Sequence, residues 1–298
     1  MNYRQLEAFR AVMETGTVTA ASQILSISQP SLSAHIANLE HDLKLTLFQR
    51  RNGRLVPTAE SKMLLPEVDS IVKGMSRLRA LATDMRGLQS GRITIAAYPA
   101  ISGFVTNFVA TFAAQHERAT LNLRTHGSER NAELAADRLV DVGLTAMPIA
   151  DPSVACEVVT VAPSVCIVPR GHRLSELSAI GPRDLQGEPF VALGRADGYR
   201  QSVEEVFERA GVDLNIRFES TLTETACHLV SEGVAVAVVD PYCANLWSEH
   251  LEIRPFTAEV PCYVYAVRNR NVEVSLFVQR FVDELRTAFE SEFSAPKA

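Results

Sequence analysis

Leu6, Phe9, Val12 and Met13 recur at helical spacing at the start of the chain and predict an amphipathic helix that Gly16 closes. Thr17 or Thr19 can cap a second short helix, Ala20 to Leu25, whose small residues allow close packing. After the turn Ser26-Ile27-Ser28, Ser28 caps a third helix, with Pro30 in the first turn where a missing N–H costs little. Ile27, Leu32, Ile36 and Leu39 form its apolar side, opposite Gln29, Ser31, Ser33, Ala34, His35 and Asn38. Asn52-Gly53 then signals a two-stranded hairpin flanked by Arg50, Arg51 and Arg54.

From 59 to 89 the pattern is that of one long helix capped by Thr58. Leu64, Val68, Ile71, Met75, Leu78, Ala82, Met85 and Leu88 follow steps of four and three, the heptad seam of a dimerising helix, and Pro66 is expected to kink it. Beyond Gly91 short apolar runs alternate with helical stretches. Strands are expected at 92–97, 121–124, 140–145, 165–168, 190–193, 216–219, 234–239 and 260–267, and helices at 101–114, 133–139 and 277–289. This alternation argues a parallel or mixed sheet covered on both faces, in two Rossmann-like lobes.

The expected organisation is therefore an α/β chain. A winged helix-turn-helix of all-α type occupies 1–58 and a long linker helix 59–89. A two-lobed module occupies 90–298, with lobe I at about 91–162 and 267–298 and lobe II at about 163–266.

Charge sharpens this division. Residues 1–58 carry six basic and four acidic groups, although the whole chain has a net charge of −6. A basic module joined to an acidic one suits nucleic-acid binding by the smaller part. Two helices joined by a short turn, the second polar at its N-terminal end, match docking in the major groove of double-stranded DNA. Thr17, Thr19, Ser28, Gln29, Ser31, Ser33 and His35 are the candidate contacts there. Arg50, Arg51 and Arg54 are the candidates for phosphates or the minor groove.

No apolar run reaches the length a membrane helix needs, and the charged N-terminus lacks a signal core. A soluble, cytoplasmic protein is expected. Five cysteines without a CxxC pair exclude a disulfide framework or zinc cluster. There is no GxSxG, HExxH or GxxxxGK[ST], and the seven histidines form no ligand-like pair, so no enzyme and no metal site is expected.

Several segments carry a family resemblance: Ala20-Ala21-Ser22-Gln23-Ile24-Leu25, Ser28-Gln29-Pro30-Ser31-Leu32-Ser33, Leu39-Glu40, Leu47-Phe48-Gln49-Arg50 and Pro57-Thr58. In order and spacing they resemble the LysR-type transcriptional regulators, and the resemblance covers the whole chain. Ala34 stands where many members carry arginine, and Glu60 where many carry glycine, which shifts weight to His35 and the wing. The segments Asp141–Thr145, Val168–His172, Asp184–Glu188 and Arg195–Gln201 resemble the subgroup with the diaminopimelate-responsive lysine-biosynthesis activator and the opine-responsive regulators.

The resemblance implies a periplasmic-binding-protein-like effector domain and a homo-oligomer built as a dimer of dimers on operator DNA. RNA polymerase stays open as a further partner. No cofactor is implied beyond a small amino-acid-like co-inducer held between the lobes. The matching positions are Pro99, Ala100, Ser102, Ser128, Thr145, Arg195, Asp197, Tyr199, Arg200 and Thr223. Serines at helix starts can hold a carboxylate, Arg195 or Arg200 can clamp one bidentately, and Asp197 can receive an ammonium or guanidinium. Two alternatives stand beside this reading: a redox-sensing regulator using Cys156 and Cys166, and a sensor of a plain organic or aromatic acid. A small-molecule binding protein without a DNA role fits residues 1–58 poorly.

Overall fold

The computed structural model describes residues 1–51, 54–87, 91–194 and 198–293. They form two compact units, Met1–Thr83 and Asp84–Ala298.

The first unit starts with α1 (Tyr3–Thr15). Asn2 and Gln5 close a capping box at its start, and Gly16 ends it in the left-handed region at φ 70°. Thr17 caps α2 (Val18–Ile24), its Oγ1 accepting the Ala20 N–H at 3.2 Å. Ser28 caps α3 (Gln29–Leu43) in the same way, accepting the Ser31 N–H at 3.3 Å. The wing strands β1 (Phe48–Arg51) and β2 (Arg54–Pro57) pair antiparallel, and the turn Asn52-Gly53 lies outside the described residues. Leu6, Phe9, Val12, Leu32, Leu39 and Leu47 form the core.

The long helix α4 (Ala59–Gly87) runs through Pro66. Its expected seam divides in two. Val68 is buried with Val72 in the core of the DNA-binding unit, while Ile71 and Leu78 are 47% and 61% exposed. Helical pitch is the reason: positions 68 and 72 share one face, and 71, 75 and 78 share another. The side chains of Ala82 and Met85, and Leu88 altogether, lie outside the described residues.

The second unit contains two three-layer lobes. In lobe I the elements run β3 (Arg92–Ala97), α5 (Pro99–Gln115), β4 (Thr120–Thr125), α6 (Ser128–Ala136), β5 (Val142–Thr145) and β6 (Val154–Pro163). The chain then enters lobe II through β7 (Val165–Pro169), β8 (Pro189–Leu193), α7 (Tyr199–Ala210), β9 (Asn215–Ser220), α8 (Thr223–Ser231), β10 (Ala237–Val239), α9 (Pro241–Ala244) and β11 (Leu251–Pro255). It returns with β12 (Pro261–Asn269) and α10 (Leu276–Phe293).

The lobe I sheet has the order β4-β3-β5-β12-β6, with β3 parallel to β4 and β5, and β12 antiparallel to β5 and β6. Lobe II repeats the plan. Parallel β8 and β9 join Val236 through a parallel bridge, and β7 lies antiparallel between β10 and β11. Helices α5 and α10 cover one face of lobe I and α6 the other.

Three sequence expectations change. The return to lobe I precedes β12, not residue 267, because β12 completes the first sheet and Val264 and Ala266 sit in that core. The helix expected at 133–139 runs from Ser128 to Ala136; a polar first turn hid its start, and Arg138 at φ 57° ends the turn that follows. Strands β6 and β11 were not anticipated. Apart from its first residue, each is only partly buried or mixed in pattern, so neither shows the clean alternation that marks a strand.

The lobes are tied where the chain crosses. Ser164 follows β6, and its Oγ donates to the Val260 carbonyl at 2.6 Å just before β12. With that proton committed, the Tyr199 phenol donates to Ser164 Oγ at 2.8 Å. Tyr242 of α9 belongs to lobe II by sequence, yet its ring lies in the lobe I core against Phe289 and Phe293. Its hydroxyl donates to the Cys262 carbonyl at 2.7 Å. Tyr242→Phe keeps the packing and removes this buried hydrogen bond. It should lower unfolding stability by about 1–2 kcal/mol, read as a lower urea midpoint; an unchanged midpoint would show the bond has no net value.

Candidate DNA-binding face and effector cleft

In α3 the core positions Leu32, Ile36 and Leu39 fix which side turns outward. At about 100° per residue, the outermost ridge is Pro30, Ala34, Ala37 and Asn38, all exposed. Gln29 and Ser33, both exposed, lie on one flank of this ridge. Ser31 and His35, both half-buried, lie on the other. Thr17 and Thr19 are exposed, and Thr17 and Ser28 spend their hydroxyl oxygens on caps. Asn38 joins this face, although the candidate contacts were confined to the first two turns. The side chains of Arg50, Arg51 and Arg54 lie outside the described residues.

In the second unit the carboxyl ends of the parallel strands carry the helix starts. Helix α5 follows β3, α6 follows β4, α8 follows β9 and α9 follows β10. Helix α5 packs against α8 and α9. A Cβ on Gly103 of α5 would fall 2.3 Å from the terminal methyl of Leu246 just beyond α9, so the two segments lie close together. The strand ends of the two lobes therefore come together around α5, α8 and α9, and the space beside them is the candidate cleft, because ligands sit beyond the strand ends in open α/β folds.

The cleft candidates divide by what their polar atoms already do. Pro99 is exposed and Ala100 half-buried at the first turn of α5. The Ser102 hydroxyl donates to the Pro99 carbonyl at 2.7 Å, which leaves its lone pairs free to accept. The Ser128 hydroxyl accepts from the Ala146 N–H at 3.0 Å, which leaves its proton free to donate. Thr145 is fully buried and donates to the Met147 carbonyl at 2.8 Å, so it shapes the end of β5 from inside. Tyr199 packs against both lobe cores, and burial pushes its phenol well above the ordinary range. Arg195 and Asp197 lie outside the described residues.

Arg200 corrects an expectation. Its side chain is 7% exposed, with Nε 2.7 Å from Glu204 and Nη2 2.9 Å from Glu219. Glu219 and Glu204 hold its pKa above the ordinary value. A guanidinium already shared by two carboxylates is a brace between α7 and β9, not an open clamp.

Sequence reading missed two features beside the cleft. Asn131 is fully buried, and its amide donates to the carbonyls of His126 and Leu144 at 3.1 and 2.9 Å, tying the start of α6 to β5. Asp240 caps α9: Oδ1 accepts the Cys243 N–H at 2.9 Å, and Oδ2 accepts the Thr223 hydroxyl at 2.8 Å. Thr223 is thus buried and engaged as well. Burial raises the Asp240 pKa to about 6, although the Cys243 N–H and the Thr223 hydroxyl pull the other way. Capping aspartates are common and predict no pKa shift by themselves; the burial that causes this one needs the tertiary structure.

The thiol-switch alternative loses its basis. Cys156 lies partly exposed on a lobe I strand and Cys166 lies buried in the lobe II core. Burial pushes the Cys166 thiol up, away from the thiolate that oxidation requires. Among the described residues no group of His, Cys, Asp and Glu is arranged to hold a metal ion. No described helix is long and apolar enough to cross a membrane.

Residues 3–62 match the bacterial regulatory helix-turn-helix proteins of the lysR family, and residues 86–290 match the LysR substrate binding domain. The chain belongs to the LysR family. This LysR-type transcriptional regulator is 34% identical over 267 residues to the regulatory protein NocR of Agrobacterium fabrum (strain C58), covering 89% of this chain and 88% of that one. It is 33% identical to the octopine catabolism/uptake operon regulatory protein OccR of Rhizobium meliloti, covering 95% of each chain. It is 31% identical to the transcriptional activator protein LysR of Escherichia coli (strain K12), covering 96% of this chain and 93% of that one. These are relatives in the subgroup that the effector-half segments resemble. The crystal structure of CbnR, a LysR family transcriptional regulator, shares the fold at a TM-score of 0.72 with 19% identity, covering 97% of this chain and 99% of that one. The regulator is therefore a DNA-binding protein with an effector domain, and not an enzyme.

Asp240 supplies a pH test. Its folded pKa is raised from the ordinary aspartate value of about 4 to about 6, so the native state holds the proton more tightly than the unfolded chain. The stability this gives is complete below about pH 4 and is lost as the pH rises through about 6, a difference of about 3 kcal/mol. Asp240→Asn cannot ionise. Its stability relative to the parent should improve by about 2–3 kcal/mol between pH 4 and pH 7 in urea titrations. A pH-independent difference would show that the carboxyl titrates normally.

Proposed function

We propose that the regulator lays α3 in the major groove of its operator and switches transcription when an amino-acid derivative enters the cleft between its lobes. The outward ridge of α3 carries the first part of this reading. Pro30, Ala34, Ala37 and Asn38 are small or short, so the helix backbone can approach the groove floor. The two flanks then meet the groove walls, Gln29 and Ser33 on one side, Ser31 and His35 on the other. Thr17, Thr19 and Ser28 serve the sugar-phosphate backbone, and Arg50, Arg51 and Arg54 take phosphates or the minor groove.

The stripe of exposed Ile71 and Leu78 with half-buried Met75 between them on α4 is the surface for a second copy, and a dimer of dimers would follow from a further contact between effector domains. The regulator acts in the cytoplasm, where its operator is.

The chemistry left over in the cleft supports the effector class. Ser128 keeps a proton for a carboxylate oxygen, Ser102 keeps lone pairs for an ammonium or guanidinium, and the first turns of α5 and α6 present backbone N–H groups. Arg195 and Asp197 would add one charge of each sign. The relative OccR is named for octopine catabolism and uptake, in keeping with a small-molecule effector for this cleft.

Two experiments test this. In a thermal-shift screen of amino acids, opines and plain carboxylates, a true effector at 100 times its dissociation constant stabilises by about 2.7 kcal/mol, a rise of roughly 5–11 °C for a domain of this size. The expected hit is zwitterionic and is lost in Arg195→Ala; hits confined to plain or aromatic acids would transfer the cleft to that class. On DNA, Gln29→Ala should cost ~1–3 kcal/mol at one base position. Arg51→Ala should weaken all sequences alike and reduce the slope of log affinity against log salt by about one. A base-selective loss in Arg51→Ala would show that this side chain reads sequence.

A further inference from the structure

The peptide at the root of the wing is held from two sides. From one side comes Glu40, three residues before the end of α3. Its Oε1 accepts the N–H of Leu47 at 2.7 Å and that of Phe48 at 3.1 Å. From the other side comes the first turn of α4. The Thr58 N–H donates to the Leu47 carbonyl at 2.9 Å, the Thr58 hydroxyl donates to the Thr46 carbonyl at 2.9 Å, and the fully buried Ser61 hydroxyl also donates to the Leu47 carbonyl. The main chain of Glu40 does a second job at the same place. Its carbonyl accepts the Leu45 N–H at 3.1 Å as α3 closes on Lys44, which stands in the left-handed region at φ 56°. Beside this joint Phe48 packs on Phe9 with ring centroids 5.7 Å apart, so strand β1 leaves the joint with a fixed starting direction.

We infer that Glu40 is a positioning residue for DNA binding: it sets the direction of the wing relative to α3, so that the wing arginines reach the sugar-phosphate backbone while α3 lies in the groove. The inference rests on the DNA-binding reading above and deepens it. The reasoning is geometric. One carboxylate oxygen accepts two consecutive N–H groups at the point where a four-residue strand begins. Losing it removes the anchor on the N–H side of the joint and loosens the angle at which β1 leaves α3, because Thr58 and Ser61 hold only the carbonyl side. A neutral amide in the same place still offers one oxygen to both N–H groups, so reach matters here more than charge. Aspartate has the charge but is one methylene shorter, and cannot span both.

The test uses the full chain and a duplex that the wild-type protein enriches from a random-sequence pool, with binding measured across a salt series. Glu40→Gln should keep an affinity within about threefold of wild type and the same salt slope. Glu40→Asp should lose about tenfold in affinity and reduce the salt slope by one to two, because the wing phosphate contacts are no longer made together. Preference among point-substituted versions of the duplex should be retained in both variants, since α3 still reads the bases. Circular dichroism melting run beside the titrations separates folding from positioning: at a temperature where both variants are fully folded, a merely structural role leaves the slope unchanged. A wild-type slope in folded Glu40→Asp overturns the inference. So does a loss of base preference without a change of slope. If the wild-type chain enriches no duplex at all, the DNA-binding reading fails first, and the two failures are distinguishable.

Discussion

Strand β12 lies between β5 and β6, and the second unit depends on that placement. A strand in the interior of a sheet must satisfy both of its hydrogen-bonding edges, so lobe I cannot close without a segment that arrives only after the whole of lobe II. The price of this topology is two crossings side by side, and the structure braces them with the few polar groups it buries there. Ser164 bonds to Val260, Tyr199 bonds to Ser164, and Tyr242 reaches out of its own lobe into the aromatic core of the other. The lobes share side chains as well as chain, which limits relative motion to what those contacts allow.

Among the described residues, hydroxyl groups hold many of the element ends in place. Thr17, Ser28 and Thr58 cap helices, Thr145 and Thr223 hold strand and helix ends, and Ser61 holds the wing root. What remains for a ligand is what these duties leave: a proton on one serine, lone pairs on another, and backbone N–H groups of two helix starts. The same economy governs charge. Arg200 and Asp240 look free in the sequence and are fully engaged inside.

The sequence announced local features well. Gly16, Thr17, Ser28 and Pro30 mark their helix ends by backbone chemistry that acts within four residues, and the structure places each as expected. Asymmetric features escaped it. Edge strand β6 faces solvent unevenly and breaks register between Val264 and Tyr265 of its partner, so no simple alternation survives in its residues. The membership of β12 in lobe I is invisible for a different reason: its apolar run identifies a strand but not the sheet that receives it. Site residues were readable as types but not as states. Nothing local tells that the Arg200 guanidinium is shared by Glu204 and Glu219, because Glu219 lies on another element.

The order in which these parts leave the ribosome gives the topology a temporal meaning. Helices α1 to α3, the wing and Val72 complete the N-terminal core early. Lobe I, begun at Arg92, must wait for Pro261–Asn269. At roughly 5–20 residues per second, the nascent chain carries a finished DNA-reading module beside an unclosed sensor sheet for roughly 9–35 s. During that time the interior edge of β5 is open to water and to neighbouring chains. A chaperone that shields this edge while lobe II forms would matter more to the yield of active regulator than any aid given to the DNA-binding module.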